Sequence, residues 1–230
     1  MKRAVAASPL APPSARRTWE ACPLCLADAV GDFAVVGGRE YGECAHCGLI
    51  HLAPDRWLDP EAERARYALH RNSPQDPGYR AFLSRLSLPL VERLTPGALG
   101  LDYGAGPGPT LSGMLEEHGF RVEVYDPFFA PDERPLDRVY DFVTCTETIE
   151  HFYHPAEEFA RLERMLRPAG WLALMTELDG DEPFEEWWYV RDPTHVCFYR
   201  ADTMTWIAKR FGWSMTSPHR NVRLFQAPAG

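Results

Sequence analysis

Three groups of residues in this chain could do chemistry. The first is a set of four cysteines, Cys22-Pro-Leu-Cys25 and Cys44-Ala-His-Cys47, with 18 residues between the pairs. Two CxxC turns at this spacing supply the four soft thiolates that zinc takes in a tetrahedron. Four cysteines close the coordination shell, which points to a structural Zn2+ and leaves His46 and His51 unneeded as ligands. The second group is Asp102-Tyr103-Gly104-Ala105-Gly106-Pro107-Gly108, which follows a short apolar run and precedes a helix-like one. Glycines at such a place let the backbone turn tightly and approach a ligand. A dinucleotide fingerprint would put its third glycine where Pro109 stands, so NAD binding by that fingerprint is disfavoured. Asp126 comes twenty residues after Gly106, at the end of the next strand-like run. A carboxylate there can accept hydrogen bonds from ribose hydroxyls, or it can serve as a turn residue ahead of Pro127. Phe128 and Phe129 fit either the border of an adenine site or the core.

The third group is acid and imidazole. His151 and His195 are candidate catalytic bases because imidazole titrates near neutrality, and Glu147 is a candidate catalytic or ligand-orienting acid. His151 follows Glu150 at a helix start and reads equally as a structural hydrogen-bonding residue. His195, in Asp192-Pro193-Thr194-His195-Val196, reads equally as a turn-stabilising one. Trp187, Trp188, Tyr189, Phe198 and Tyr199 flank His195, as pocket walls or as core. Cys145 and Cys197 read as inert buried thiols.

These residues need elements to hold them. The cysteine segment contains a strand-like stretch 32–36, the turn signal Gly37-Gly38 and a second strand 49–52, the layout of a zinc ribbon. Asp59-Pro60 and Asp76-Pro77 each look like an N-cap with proline at the first helical position. From Leu99 onward strands and helices alternate: strands at 99–103, 121–125, 140–145 and 171–176, helices at 109–118, 155–166 and 201–211, then strands near 213–216 and 222–226. Such alternation predicts an α/β doubly wound sheet. The expected division is a disordered tail at 1–18, a zinc ribbon at 19–56, a helical connector and lid at 57–96 and a catalytic domain at 97–230. Tyr67, His70 and Asn72 are candidates for the lid.

Composition narrows the function. The formal net charge is −9, and the first 18 residues carry Lys2, Arg3, Arg16 and Arg17 with no acid, so the remainder is more acidic still. That balance argues against nucleic acid as a partner. No apolar run approaches the roughly 20 residues that span a bilayer, and the N-terminus lacks the apolar stretch of a signal peptide. A cytoplasmic protein with metal-bound or free thiols, without a disulfide framework, is the expectation.

The run Leu101–Gly108 resembles the glycine motif of the class I S-adenosylmethionine-dependent methyltransferases. The run Tyr140–His151 resembles their fourth-strand motif, and Leu166-Arg167-Pro168-Ala169-Gly170-Trp171 their turn into the fifth strand. The resemblance covers about residues 60 to 230. It implies a Rossmann-like seven-stranded sheet whose last hairpin holds the one antiparallel strand, and S-adenosyl-L-methionine as cofactor. It also implies that Gly104, Ala105 and Gly106 lie against the methionine part of the cofactor. Asp126, with Pro127 beside it, would hold the ribose, Asp102 would orient the amino group, and Thr146 and Glu147 would line the site near the methyl. The stretch 127–141 is short for a helix plus a third strand, so no adenine-contacting acid is assigned there. The ribbon ahead of such a domain is similar to that of deoxysugar C-methyltransferases, and the segment 192–196 is similar to that of quinol-type small-molecule methyltransferases. The expected activity is methyl transfer to a small-molecule acceptor by in-line displacement. The alternatives are a protein or RNA methyltransferase acting through the ribbon, and a non-catalytic binding module that keeps the cofactor fold. A protein partner through the ribbon is the macromolecular contact that the composition leaves open.

Overall fold

The computed structural model describes residues 17–69, 73–180 and 182–230. The glycine loop is carried by a sheet of order β5-β4-β6-β7-β10-β9. Its strands are β4 (Leu99–Tyr103), β5 (Arg121–Tyr125), β6 (Tyr140–Thr146), β7 (Leu166–Met175), β9 (Ser214–His219) and β10 (Val222–Gln226). β4 pairs in parallel with β5 and β6, and β6 in parallel with β7, while β10 runs antiparallel to both β7 and β9. This is the Rossmann-like α/β fold that the sequence leads one to expect, with a single antiparallel strand in its closing hairpin.

The strand count is six among the described residues, where the resemblance implied seven. The segment between β5 and β6 explains the difference. Asp126 and Ala130 close a tight bridged turn, Arg134–Asp137 forms one 3-10 turn, and Pro127, Pro131 and Pro135 withhold three backbone donors. No length of chain remains for another strand, and β5 stands at the edge of the sheet.

Helices cover both faces of the sheet. α2 (Pro77–Val91) and α3 (Thr110–Glu117) bury Leu83, Leu86, Leu90, Leu111 and Leu115 against Phe142, Val222 and Leu224. α4 (Pro155–Arg164) and α5 (Ala201–Phe211) bury Phe159, Leu162, Met204 and Ile207 against Val143, Cys145, Leu174 and Phe225. Each side chain of this size contributes about 1.5–3 kcal/mol when fully buried, so the two layers fix the strand ends firmly. Ahead of them, α1 (Pro60–Tyr67) starts where Asp59 accepts from the amides of Glu61 and Ala62.

The cysteine segment forms a second sheet of order β1-β2-β3-β8. β1 (Val30–Val36) and β2 (Arg39–Cys44) make a hairpin through Gly37 and Gly38, whose φ values of +58° and +79° suit the tight turn. β3 (Ile50–Leu52) then pairs with β8 (Cys197–Phe198), a strand supplied by the C-terminal half of the chain. This second sheet is therefore stitched into the fold, and its side chains share one core with the large sheet: Tyr41, Leu49, Ile50 and Leu52 pack in the cluster that holds Phe198, Tyr199 and Met204. Residues 1–16 of the expected tail lie outside the described residues. Arg17, at its end, is held by ion pairs to Glu40 and Asp55.

Candidate functional site

The four cysteines come together. Cys22 Sγ lies 3.6 Å from Cys47 Sγ and Cys25 Sγ 3.4 Å from Cys44 Sγ, with all four sulfurs within 4.8 Å of one another. A tetrahedron with Zn–S bonds of about 2.3 Å has edges of about 3.8 Å, so the donor set fits that ion with little movement. Each CxxC turn closes on itself: the Leu26 amide donates to Cys22 O and the Gly48 amide to Cys44 O, with φ of +62° and +73° at those residues. His51 instead packs edge-on to Trp19, and His46 edge-on to Trp206.

The glycine loop, Asp126 and the imidazoles line one cavity of about 680 Å³ at the C-terminal ends of β4, β5 and β6, where open α/β sheets bind ligands. Gly104 has φ +77°, and its amide donates to Tyr125 O at 2.8 Å. A Cβ on Gly104 would stand 2.2 Å from Thr148 Cγ2, so only glycine lets the loop pass there. Asp126 ties that loop to β5: Oδ2 accepts from the Gly106 amide (2.9 Å), and Oδ1 from the amides of Phe128 (2.9 Å) and Phe129 (3.0 Å). It is thus both the turn residue and a cavity-lining acid, with one further lone pair on Oδ2. Ala105, Pro127, Phe128, Phe129 and Thr146 line the same cavity.

Asp102 is placed differently from the others. It is buried and does not line the cavity; its oxygens accept from Thr144 Oγ1 (2.7 Å) and Ser112 Oγ (2.8 Å). Burial raises its pKa, opposed by those two hydroxyls. It braces β4, β6 and α3 behind the loop.

All three candidate catalytic residues reach the cavity. Glu147 sits just past the end of β6 with φ +49°, a left-handed conformation that costs a non-glycine residue about 1–2 kcal/mol. Among the described residues its buried Oε1 has no hydrogen-bond partner, nor has Thr146 Oγ1, while its Oε2 accepts from the Tyr189 hydroxyl at 3.3 Å. Tyr189 donates at shorter range, 2.5 Å, to Glu150, whose other oxygen accepts from Thr176 at 2.9 Å. Burial raises the pKa of Glu147 well above the usual carboxylate value, and the neighbouring charges of Glu150 and Glu177 add to it. Glu150 is also raised by burial, with His151 and Tyr189 acting against the shift.

His151 Nδ1 lies 2.9 Å from Thr194 O, and His195 Nδ1 2.7 Å from Tyr189 O. A carbonyl can only accept, so each Nδ1 carries a proton, and in the neutral ring Nε2 keeps the lone pair. Burial and then the neighbouring His151 lower the His195 pKa to about 3, so this ring is neutral at physiological pH. The two rings lie 4.9 Å apart, and the His195 ring packs 4.0 Å from that of Tyr189. Of the flanking aromatics, Trp188 and Tyr189 line the cavity, while Trp187, Phe198 and Tyr199 belong to the core. Cys145 and Cys197 are buried, and burial raises both thiols.

α1 closes one side of the cavity. Tyr67 meets the rings of His151 (5.1 Å) and Phe128 (5.7 Å), and Arg66 grips Asp192 with two nitrogens at 2.6 and 3.1 Å. His70 and Asn72 lie outside the described residues. Glu150, Arg66 and the polar role of Tyr189 escaped the sequence reading; the three-residue spacing of Glu147 and Glu150 was the signal that both acids share one turn.

The profile of a methyltransferase-domain family matches residues 71–217, more than half of the chain. The chain belongs to this methyltransferase family. Among solved structures, the methyltransferase is similar to the Burkholderia thailandensis 1,6-didemethyltoxoflavin-N1-methyltransferase, determined with 1,6-didemethyltoxoflavin and S-adenosylhomocysteine bound. The TM-score is 0.52 and the identity 15%, covering 86% of this chain and 99% of that one. A protein of Pyrococcus horikoshii OT3 matches with a TM-score of 0.50 at 15% identity, over 74% of this chain and all of that one. At such identities the likeness shows the fold. No curated protein matches the sequence. Among the described residues, no helix is long and apolar enough to cross a membrane.

Proposed function

We propose that this methyltransferase moves a methyl group from S-adenosyl-L-methionine to a small-molecule acceptor, with zinc held structurally by Cys22, Cys25, Cys44 and Cys47. One observation carries the reading: one cavity is lined both by Gly104, Ala105, Gly106 and Asp126 and by Glu147, His151 and His195. The cofactor fits against the first group. The glycine backbone leaves open space beside Gly106, Asp126 Oδ2 offers its remaining lone pair to a ribose hydroxyl, and Thr146 Oγ1 is a buried hydroxyl with no partner among the described residues. Bound there, the cofactor supplies an electrophilic methyl together with its own leaving group. The similar Burkholderia enzyme, with S-adenosylhomocysteine and 1,6-didemethyltoxoflavin bound, supports the assignment.

The chain's own part is alignment and proton handling. Tyr67, Phe128 and Trp188 supply apolar walls that exclude water and orient a flat or slender acceptor. His195, neutral and with its Nδ1–H fixed on a carbonyl, turns the lone pair of Nε2 to the acceptor; His151 is held in the same manner. His195 is only 7% exposed, so an acceptor atom must enter the pocket to reach it, which favours a small molecule over a folded macromolecule. In this reading residues 19–56 act as the ribbon, 57–96 as connector and lid, and 97–230 as the catalytic domain.

Calorimetric titration of the zinc-loaded protein with S-adenosylhomocysteine tests the cofactor assignment. One saturable site, weakened in Asp126→Ala, is expected. A folded wild type that binds none refutes it. A screen of small acceptors with methyl-labelled cofactor then separates an enzyme from a module that only binds.

A further inference from the structure

The four-cysteine cluster is one of two places where the described residues converge on a potential metal ion. The other is Glu150, His151 and His195: one ring nitrogen of each histidine and one carboxylate oxygen of Glu150 lie within 4.8 Å of one another. We propose that these three residues form a second metal site, for a divalent first-row transition ion, open to the cavity. Insofar as the methyl-transfer reading above holds, an oxygen of the acceptor completes its coordination, and the two imidazoles act as ligands in place of bases.

The argument begins with how the donors are held. A metal-ligating histidine donates its other ring N–H to a carbonyl or carboxylate, which fixes the ring and leaves one nitrogen for the ion. Both rings are arranged so: His151 Nδ1 is pinned by Thr194 O and His195 Nδ1 by Tyr189 O. Among the described residues, no protein group hydrogen-bonds either Nε2. Glu150 is pinned in the same sense by the Tyr189 and Thr176 hydroxyls, and each of its oxygens keeps a further lone pair. Tyr189 thereby orients two of the three donors, His195 through its carbonyl and Glu150 through its hydroxyl.

The second step is the surplus of buried acceptors. Glu147 shares the Tyr189 hydroxyl with Glu150, yet its Oε1 is shut off from water with no partner. Two carboxylates and two imidazole lone pairs at one place, with Tyr189 and Thr176 the hydroxyls serving the carboxylates, leave more acceptor capacity than donors. A proton on Glu147 relieves part of that imbalance, and a buried cation held by Glu150 and the two imidazoles the rest. Two nitrogens and one oxygen suit zinc, cobalt or iron better than the hard, all-oxygen ions calcium and magnesium. Three protein donors leave positions open, unlike the closed four-cysteine set, and the open side faces the cavity that His151, His195 and Glu147 line. The ligand class that follows is an acceptor with a hydroxyl or enolic oxygen, since such an oxygen binds the ion and its proton is lost more readily to water.

Titrating Co2+ into zinc-loaded protein tests this, read by visible absorption and calorimetry. Zinc keeps the thiolates because it binds more tightly than cobalt. The expected result is one further equivalent with weak d–d bands and no thiolate charge-transfer band. His151→Ala, Glu150→Gln and His195→Ala should each weaken binding by about tenfold or more, and Tyr189→Phe, which touches only the outer shell, by a comparable factor. S-adenosylhomocysteine binding on the same samples reports folding and the cofactor reading separately; if His195→Ala fails to fold, His151→Ala and Glu150→Gln carry the test. Wild type that binds no Co2+ at about 1 mM, or folded variants that bind it as wild type does, overturns the site whatever the cofactor titration shows.

Discussion

Gly104→Ala is the sharpest probe of the loop, because the structure names both the strain it introduces and the atom that collides. At φ +77°, alanine costs about 1–2 kcal/mol from backbone strain alone. Its Cβ would stand 2.2 Å from Thr148 Cγ2 and 2.7 Å from Thr148 Oγ1, and forcing such overpacking costs a further 1–3 kcal/mol or so. The total loss of stability should be about 2–5 kcal/mol. Thr148→Ala removes both colliding atoms and leaves only its Cβ, 3.1 Å away. By itself that change should cost about 1 kcal/mol, for the hydroxyl's bonds to Gly104 O and Thr146 O. In the double variant, Gly104→Ala should cost only its backbone strain. Urea unfolding of the four proteins should therefore give a coupling energy of about 1–3 kcal/mol, with S-adenosylhomocysteine affinity recovering in parallel. Strictly additive losses would mean that Thr148 is not what excludes a side chain at Gly104, and would refute the reasoning.

Asp126→Asn keeps one oxygen for the loop and loses the charge; with three backbone amides on the native carboxylate, S-adenosylhomocysteine affinity should fall by at least tenfold, corresponding to about 1.4 kcal/mol, in calorimetry. The Asp192 carboxyl sits well below the usual range: burial opposes this, but hydrogen bonds from Arg66 and Thr194 outweigh it. A depressed folded pKa contributes stability that is complete above the unfolded value near 3.9 and fades as pH falls below it. Melting temperature against pH should therefore fall less steeply below about pH 4 in Asp192→Asn than in wild type. Removing zinc with a chelator, or Cys44→Ser, should release β3 from β8 and loosen His195, so that turnover is lost more completely than cofactor-analogue binding; equal losses of both would contradict this.

The parts of the site legible in the sequence are those whose chemistry is local. Cys22, Cys25, Cys44 and Cys47 announce themselves because knuckle geometry lives within a few residues. Gly104, Gly106 and Asp126 do so because one strand–loop–helix unit fixes their spacing. Asp102 shows the limit of that logic: its position in the motif is plain, but that Thr144 and Ser112 absorb both its oxygens depends on how β6 and α3 pack. The left-handed backbone of Glu147 and the meeting of Glu150 with His195 rest on contacts across more than forty residues, invisible to periodicity. The same holds for the sheet. The shortness of the stretch 127–141 was legible, though seven strands were expected, whereas two-residue β8 carries no pattern at all and is a strand only because β3 lies beside it.

That pairing of β3 with β8 sets an order of events during synthesis. Ile50 and His51 leave the ribosome long before their partners Phe198 and Cys197, on the order of ten seconds earlier at ordinary elongation rates. The cysteine knuckles and the β1–β2 hairpin need only local chain and can capture a metal ion in that interval. The third ribbon strand waits with an open edge until nearly the whole catalytic sheet exists. Chain elongation thus acts as a clock. With the zinc proposed above, metal loading comes first and sheet closure last, so a chain that missed the ion early would carry an unfinished edge just when the final hairpin forms.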